Sequence, residues 1–211
     1  MVALSRKHGE GATLAALRRS TAADHESVDA LIAPDRLVEV GYYVAVVRAL
    51  IECAEIVEVT LPRIPRGLCR QGLSASDVSK RRAIDAESSF LDELAAPRPV
   101  RRPPGGVDDL LAPGPPTQAT MVGLLYVYVG SALGGLHLLR VARTAPWWRH
   151  EREHLLFRPY GHHFTDRWRA VLDALERLGP EETNAAVGAA KAGFDLHRRS
   201  LTDHLSAGPD R

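Results

Sequence analysis

The 211-residue chain is 45% hydrophobic and 25% charged, which is ordinary for a globular protein with a buried core and excludes a disordered tail or a collagen-like fibre. Its 27 Lys and Arg against 26 Asp and Glu leave a net charge of +1. No global field therefore draws it to nucleic acid or anionic lipid, and any anion site must be local.

Met1 to Thr13 carries Arg6, Lys7 and His8 but no apolar stretch of signal-peptide length, so a cytoplasmic location is expected. Apolar residues then recur at steps of three and four, without sustained strict alternation or Asn-Gly and Asp-Gly hairpin signals, and this predicts an all-α chain. The spacing predicts helices over Ala12–Ala33, Leu37–Leu61, Ser76–Leu94, Thr117–Ala142, Phe164–Leu178 and Glu181–Leu205. Pro62, Pro65, Pro146, Pro159 and the Gly179-Pro180 pair mark stops. Seven of the 14 prolines fall between Pro97 and Pro116, a segment no helix can cross. Three helices before it are too few for a separate core, so one helical bundle over residues 1–211 is expected, with a Pro-rich connection at 97–116 and a short disordered tail at the C-terminus. Cys53 and Cys69 are the only cysteines, too few for a disulfide framework or a cysteine-built zinc site.

Three constellations carry candidate chemistry. In the first helix Leu14, Leu17, Thr21, His25, Val28 and Ile32 form one stripe, which places His25 among apolar neighbours. Arg18 lies two turns earlier, roughly 10 Å along the helix, an offset suited to a metal-centred ligand with anionic arms. The alternative is a core histidine bonded to a carbonyl, with Arg18 reaching out from the edge of the stripe.

The second constellation is the uncharged run from Thr120 to Leu139, with Gly123, Gly130, Gly134 and Gly135. Its length and the Gly130/Gly134 spacing match a transmembrane helix, but an apolar helix buried within a soluble bundle has the same composition, and no membrane span is expected here. Each helical glycine costs about 1 kcal/mol relative to alanine, and close approach of the backbone to a flat object is one compensation.

The third is His150-Glu151-Arg152-Glu153-His154, which has the spacing of a zinc-peptidase helix. The flanking Arg149, the internal Arg152 and the nearby Pro159 suit a solvated segment better than a buried catalytic helix, and Glu176 is the one downstream carboxylate placed to complete a ligand set. Lys80-Arg81-Arg82 and the arginines from Arg98 to Arg102 read as structural charge clusters, and no nucleic-acid partner is expected.

Three segments together resemble the haem oxygenases, in particular the bacterial biliverdin-producing branch associated with phytochromes. They are Leu17-Arg18-Arg19-Ser20-Thr21-Ala22-Ala23-Asp24-His25, Tyr128-Val129-Gly130-Ser131-Ala132-Leu133-Gly134-Gly135, and Phe157-Arg158-Pro159-Tyr160-Gly161 with Trp168 following. The resemblance implies a helical domain in which haem lies between a proximal helix and a kinked, glycine-rich distal helix. His25 would be the axial iron ligand, with Arg18 and Arg19 at a propionate and Arg158 and Tyr160 at the second. Gly130, Ser131 and Gly134 would form the catalytic distal surface, which Gly135 continues.

The implied reaction cleaves haem, both cofactor and substrate, with O2 and reducing equivalents to biliverdin, ferrous iron and carbon monoxide. It needs a redox partner such as ferredoxin or a flavoprotein, and the product could pass to a bacterial phytochrome. Ser131 stands where many members have an aspartate that anchors water, and Val129 stands where the phytochrome-associated branch often has a glutamate. Those departures keep open a haem carrier without catalysis. A small-molecule enzyme on a related helical fold and the zinc peptidase are the remaining alternatives.

Overall fold

The computed structural model describes residues 11–94, 110, 115–149 and 155–206, and every regular element among them is helical. In chain order these are α1 (Ala12–Asp29), α2 (Val40–Thr60), α3 (Arg66–Cys69), α4 (Ala75–Val78), α5 (Arg81–Leu94), α6 (Gln118–Ala142), α7 (Phe164–Glu176) and α8 (Pro180–Ser206). Short 3-10 turns stand at Pro34–Val38, Leu61–Arg63, Leu155–Phe157 and Gly161–His163. Most of the Pro-rich connection, the His150–His154 motif and the tail from Ala207 lie outside the described residues.

The six helices expected from periodicity correspond to α1, α2, α5, α6, α7 and α8, and the differences at their ends have local causes. The first helix stops at Asp29 rather than Ala33. Pro34 disfavours helical backbone at the residue before it, and Ala33 is extended, with its N–H donating to the Tyr42 hydroxyl at 2.8 Å. The stretch expected as one helix from Ser76 is broken. Ser74 caps the start of α4 with a reciprocal capping box to Asp77, Ser79 at its end is extended, and α5 starts afresh at Arg81. The break is held by Glu58 of α2, which accepts from the Ser79 hydroxyl at 2.8 Å and the Lys80 backbone N–H at 2.5 Å.

α8 is the central pillar and packs against α6, α1 and α2. Its start is set by Pro180 in the first turn and by Glu182, whose carboxylate accepts from the Gly179 N–H at 3.0 Å. Its small residues then let neighbours approach closely. Gly123 of α6 sits on the Ala186 backbone, where an added Cβ would overlap the Ala186 carbonyl oxygen and lie 2.8 Å from its carbonyl carbon. Seven residues further along α8, a Cβ on Gly193 would lie 3.2 Å from Val127 Cβ. Across to α2, Ser200 donates to the Ala49 carbonyl at 3.1 Å, and His204 Nε2 meets Glu52 at 2.6 Å. α5 is tied to α2 by the buried Tyr43 hydroxyl, which donates to Glu87 at 2.7 Å.

One contiguous apolar core runs from Leu14 in α1 to Leu201 in α8 and takes in residues from both sides of the Pro-rich connection. α6 is long and apolar enough to cross a membrane, yet more than half of its most apolar 18-residue window is buried inside the protein. The Thr117 hydroxyl caps its start by accepting from the Thr120 N–H at 3.1 Å.

Gly123→Ala should force α6 away from α8, because its neighbour is rigid backbone with no rotamer to yield. We expect a loss of about 1–3 kcal/mol in urea unfolding, despite the better helix propensity of alanine.

A candidate ligand cavity between α1 and α6

Beyond the close crossing at Gly123, larger side chains hold the helices apart and leave a cavity of about 560 Å³, within the size range of roughly 300–1,000 Å³ for small-molecule and cofactor sites. α1 contributes His25, Val28, Asp29 and Ile32 to one wall, and α6 contributes residues from Tyr126 to Leu138 to another. Leu50 and Ala54 of α2, Trp168 of α7 and Phe194 and His197 of α8 complete it. A smaller cleft of about 280 Å³ is lined mainly by charged side chains, among them Arg70, Asp166, Asp173 and Arg177.

His25 is brought to this cavity, though not into the core as the apolar stripe implied. Its side chain is 61% exposed. α1 ends four residues later, so the stripe faces the open cavity at this level and not a packed neighbour. The ring stands edge-on to Phe194, with centroids 5.6 Å apart, and Nδ1 lies 3.1 Å from the Asp29 carboxylate. That contact orients the imidazole and leaves Nε2 for a ligand, the arrangement in which a histidine with a carboxylate behind it serves as a metal donor.

The four glycines of α6 have separate reasons. Gly123 serves the α8 crossing. Gly135 faces the Phe157 backbone, where an added Cβ would lie 3.0 Å from the carbonyl oxygen. Gly130 lies against the Trp168 ring, with a Cβ placed 3.1 Å from its edge, and Trp168 in turn packs on Tyr126 at 5.3 Å. Gly134 alone of the four lines the cavity with nothing within 4 Å of a Cβ, so its backbone is open to whatever enters.

The remaining expected contacts are not brought together. Tyr160 is buried, with its hydroxyl donating to the Val78 carbonyl at 2.8 Å, and it does not line the cavity. Arg158 is exposed on the turn after Leu155–Phe157 and lies outside the lining as well. Arg18 and Arg19 are exposed on α1 and absent from the cavity wall. Leu133 and Leu138 supply apolar surface between the glycines.

Two buried polar residues of the lining escaped the sequence reading. Lys80, read there as the start of a structural charge cluster, is 5% exposed. Its Nζ donates to the Tyr128 carbonyl at 2.5 Å and to Ser131 Oγ at 2.8 Å, and sits 4.3 Å from the centre of the Tyr128 ring. Ser131 passes its own proton to the same carbonyl at 2.9 Å. Burial lowers the Lys80 pKa to about 7, although Glu58 opposes the shift. The Glu58 carboxylate also accepts from the Tyr128 hydroxyl at 2.5 Å, and burial holds that phenol well above its usual range.

His197 is 9% exposed, and its Nδ1 donates to the Gly193 carbonyl at 2.8 Å, which leaves Nε2 as an acceptor. Burial lowers its pKa and keeps it neutral. The cavity thus has an accessible pole at His25 and Asp29 and a buried pole at Lys80, Ser131 and His197. Among the described residues no three His, Cys, Asp or Glu side chains converge as a metal site. No protein-family model matches the chain, and no curated protein is detectably similar to it in sequence.

The Lys80 shift has a stability consequence of definite sign. Between about pH 7 and pH 10.5 the unfolded chain keeps the lysine proton while the folded protein has lost it, so unfolding free energy rises with pH across that window. Lys80→Met, which removes the titration, should therefore unfold later than the parent in urea at about pH 6. That advantage should shrink by about pH 9.5.

Proposed function

We propose that the cavity binds haem through His25 and that the protein is a haem oxygenase, releasing biliverdin, ferrous iron and carbon monoxide. The observation that carries this reading is the convergence of His25 from α1 and the open backbone of Gly134 from α6 on one mainly apolar cavity of cofactor size. The residues fit the group in kind. A planar hydrophobic macrocycle needs apolar walls, a wall without side chains against its face, and one neutral nitrogen donor. Haem supplies an iron centre and an oxidisable ring; the protein supplies binding, orientation and electrostatics.

In this reading the Asp29 carboxylate orients the His25 ring, so that Nε2 would be the nitrogen donor to the iron. Gly134 lets the α6 backbone press on the ligand face, and Leu133 and Leu138 exclude water beside it. Arg18 and Arg19 share α1 with His25 but stand outside the cavity wall, so this reading gives them no contact with the acidic edge of the macrocycle. Electrons come from a separate donor such as ferredoxin or a flavoprotein, in the cytoplasm, and a bacterial phytochrome is a fitting acceptor of the product. The second reading, a haem carrier on the same fold, is favoured by Ser131, which presents a hydroxyl bound to Tyr128 and Lys80 where an aspartate would anchor water.

Hemin titration of the parent protein should give a sharp histidine-ligated Soret band that His25→Ala loses. Ascorbate in air should then convert that band into broad red absorption of a bilin. A band that only reduces and reoxidises selects the carrier, and a band unaffected by His25→Ala removes His25 from the iron. Gly134→Leu tests the opposite wall, because its Cβ has no protein atom within 4 Å and the substitution gains helix propensity of about 1 kcal/mol. It should keep or raise thermal stability while hemin affinity falls at least tenfold.

A further inference from the structure

The buried pole of the cavity contains an amine with unused hydrogen-bonding capacity. A lysine ammonium carries three donors, and Lys80 spends two of them, on the Tyr128 carbonyl and Ser131 Oγ. The third has no oxygen or nitrogen acceptor among the described residues, only the face of the Tyr128 ring at 4.3 Å, and the side chain lines the cavity. Nζ makes no hydrogen bond to Glu58, whose carboxylate accepts from the Lys80 backbone N–H, the Ser79 hydroxyl and the Tyr128 hydroxyl. A buried cation without a directly bonded counter-ion is costly, and replacing it with an apolar side chain would remove the cost unless something in the cavity uses the donor.

We propose that Lys80 is the hydrogen-bond donor held for a small diatomic or anionic ligand bound at the haem centre on the α6 side, with Ser131 as the residue that positions the amine. This rests on the haem reading above. It gives α6 a direct N–H donor at the point where an aspartate would accept from water, so the sign of the local charge is reversed. Ser131 acts through Lys80: its oxygen accepts from Nζ while its proton is committed to the Tyr128 carbonyl, so serine and carbonyl together hold two of the three N–H groups and leave the third for a ligand.

The pole also responds to pH. The groups around Lys80 are Glu58 and Cys53 on α2, Tyr128 on α6, His197 on α8, and Tyr160, whose ring lies 5.8 Å from Nζ. Burial holds Cys53 and both phenols protonated at neutral pH and His197 neutral, so Glu58 is the charged neighbour and Lys80 the group that changes. Once deprotonated, the amine keeps two donors for its two protein acceptors and turns a lone pair toward the cavity.

The test uses the full chain loaded with haem. Carbon monoxide on the ferrous form and azide on the ferric form are the probes. A donor beside carbon monoxide lowers its stretching frequency, so Lys80→Met should raise that frequency and weaken azide about tenfold, the worth of one charge-assisted hydrogen bond. Ser131→Ala should broaden the band but keep most of the azide affinity. In the parent protein the frequency should rise as pH passes about 7, a measurement that needs no variant to fold. Equal frequencies and azide affinities in parent and Lys80→Met, with matching Soret bands and circular dichroism, overturn the proposal and leave the haem reading standing. Loss in Ser131→Ala alone makes the serine the donor and also overturns it. Absence of a His25-dependent Soret band in the parent overturns both.

Discussion

The close crossing of α6 on α8 is the constraint on which the cavity depends. Gly123 lets the two backbones meet at the Ala186 carbonyl, and Gly193 receives Val127 one turn further along α6. Each glycine weakens its helix by about 1 kcal/mol relative to alanine, a cost offset by dispersion contacts that a Cβ would abolish. Beside that crossing Tyr126 of α6, Trp168 of α7 and Phe194 of α8 line the cavity, whose facing wall is α1 where His25 stands.

Within that opening the polar groups are few and individually supported. His25 has Asp29 behind it, His197 is held by the Gly193 carbonyl, and Lys80 by Tyr128 and Ser131. The lysine depends on the break between α4 and α5. A helix running on from Ser76 would have kept the Lys80-Arg81-Arg82 run in register, with its N–H bonded within the helix. Glu58 instead captures the Ser79 hydroxyl and Lys80 N–H, so the backbone turns and Lys80 points inward while Arg81 reaches Glu55 at 3.6 Å outside.

Periodicity was enough to predict the helices because their apolar faces meet a single core, and propensity seldom opposes it. The ends moved where a side chain competed for the backbone, as Tyr42 does at Ala33 and Glu58 at Lys80. Spacing also put His25 with the residues it joins, but a stripe of apolar residues does not distinguish a packed interior from an open cavity. Lys80 was not legible at all: a Lys-Arg-Arg run carries the signature of a solvated face, and its inward turn depends on a carboxylate 22 residues earlier. The position of Tyr160 was equally hidden, since its hydroxyl is held by the Val78 carbonyl, 82 residues away.

The two poles also discriminate between ligand classes. A small polar metabolite satisfied by Lys80 and His197 would leave the surfaces of Val28, Ile32, Leu133 and Leu138 wet, and a purely apolar ligand would leave a buried amine unpaired. The lining calls for a large apolar body that reaches a nitrogen donor at the exposed end and carries a small polar group at the buried end. Asp29, the one carboxylate among the described residues of the wall, lies at the exposed end and faces His25, so the described buried end offers a cationic ligand no counter-charge. The metal macrocycle proposed above would meet these demands together, and on that proposal the open glycine, the oriented histidine and the buried lysine form one site and not three separate features.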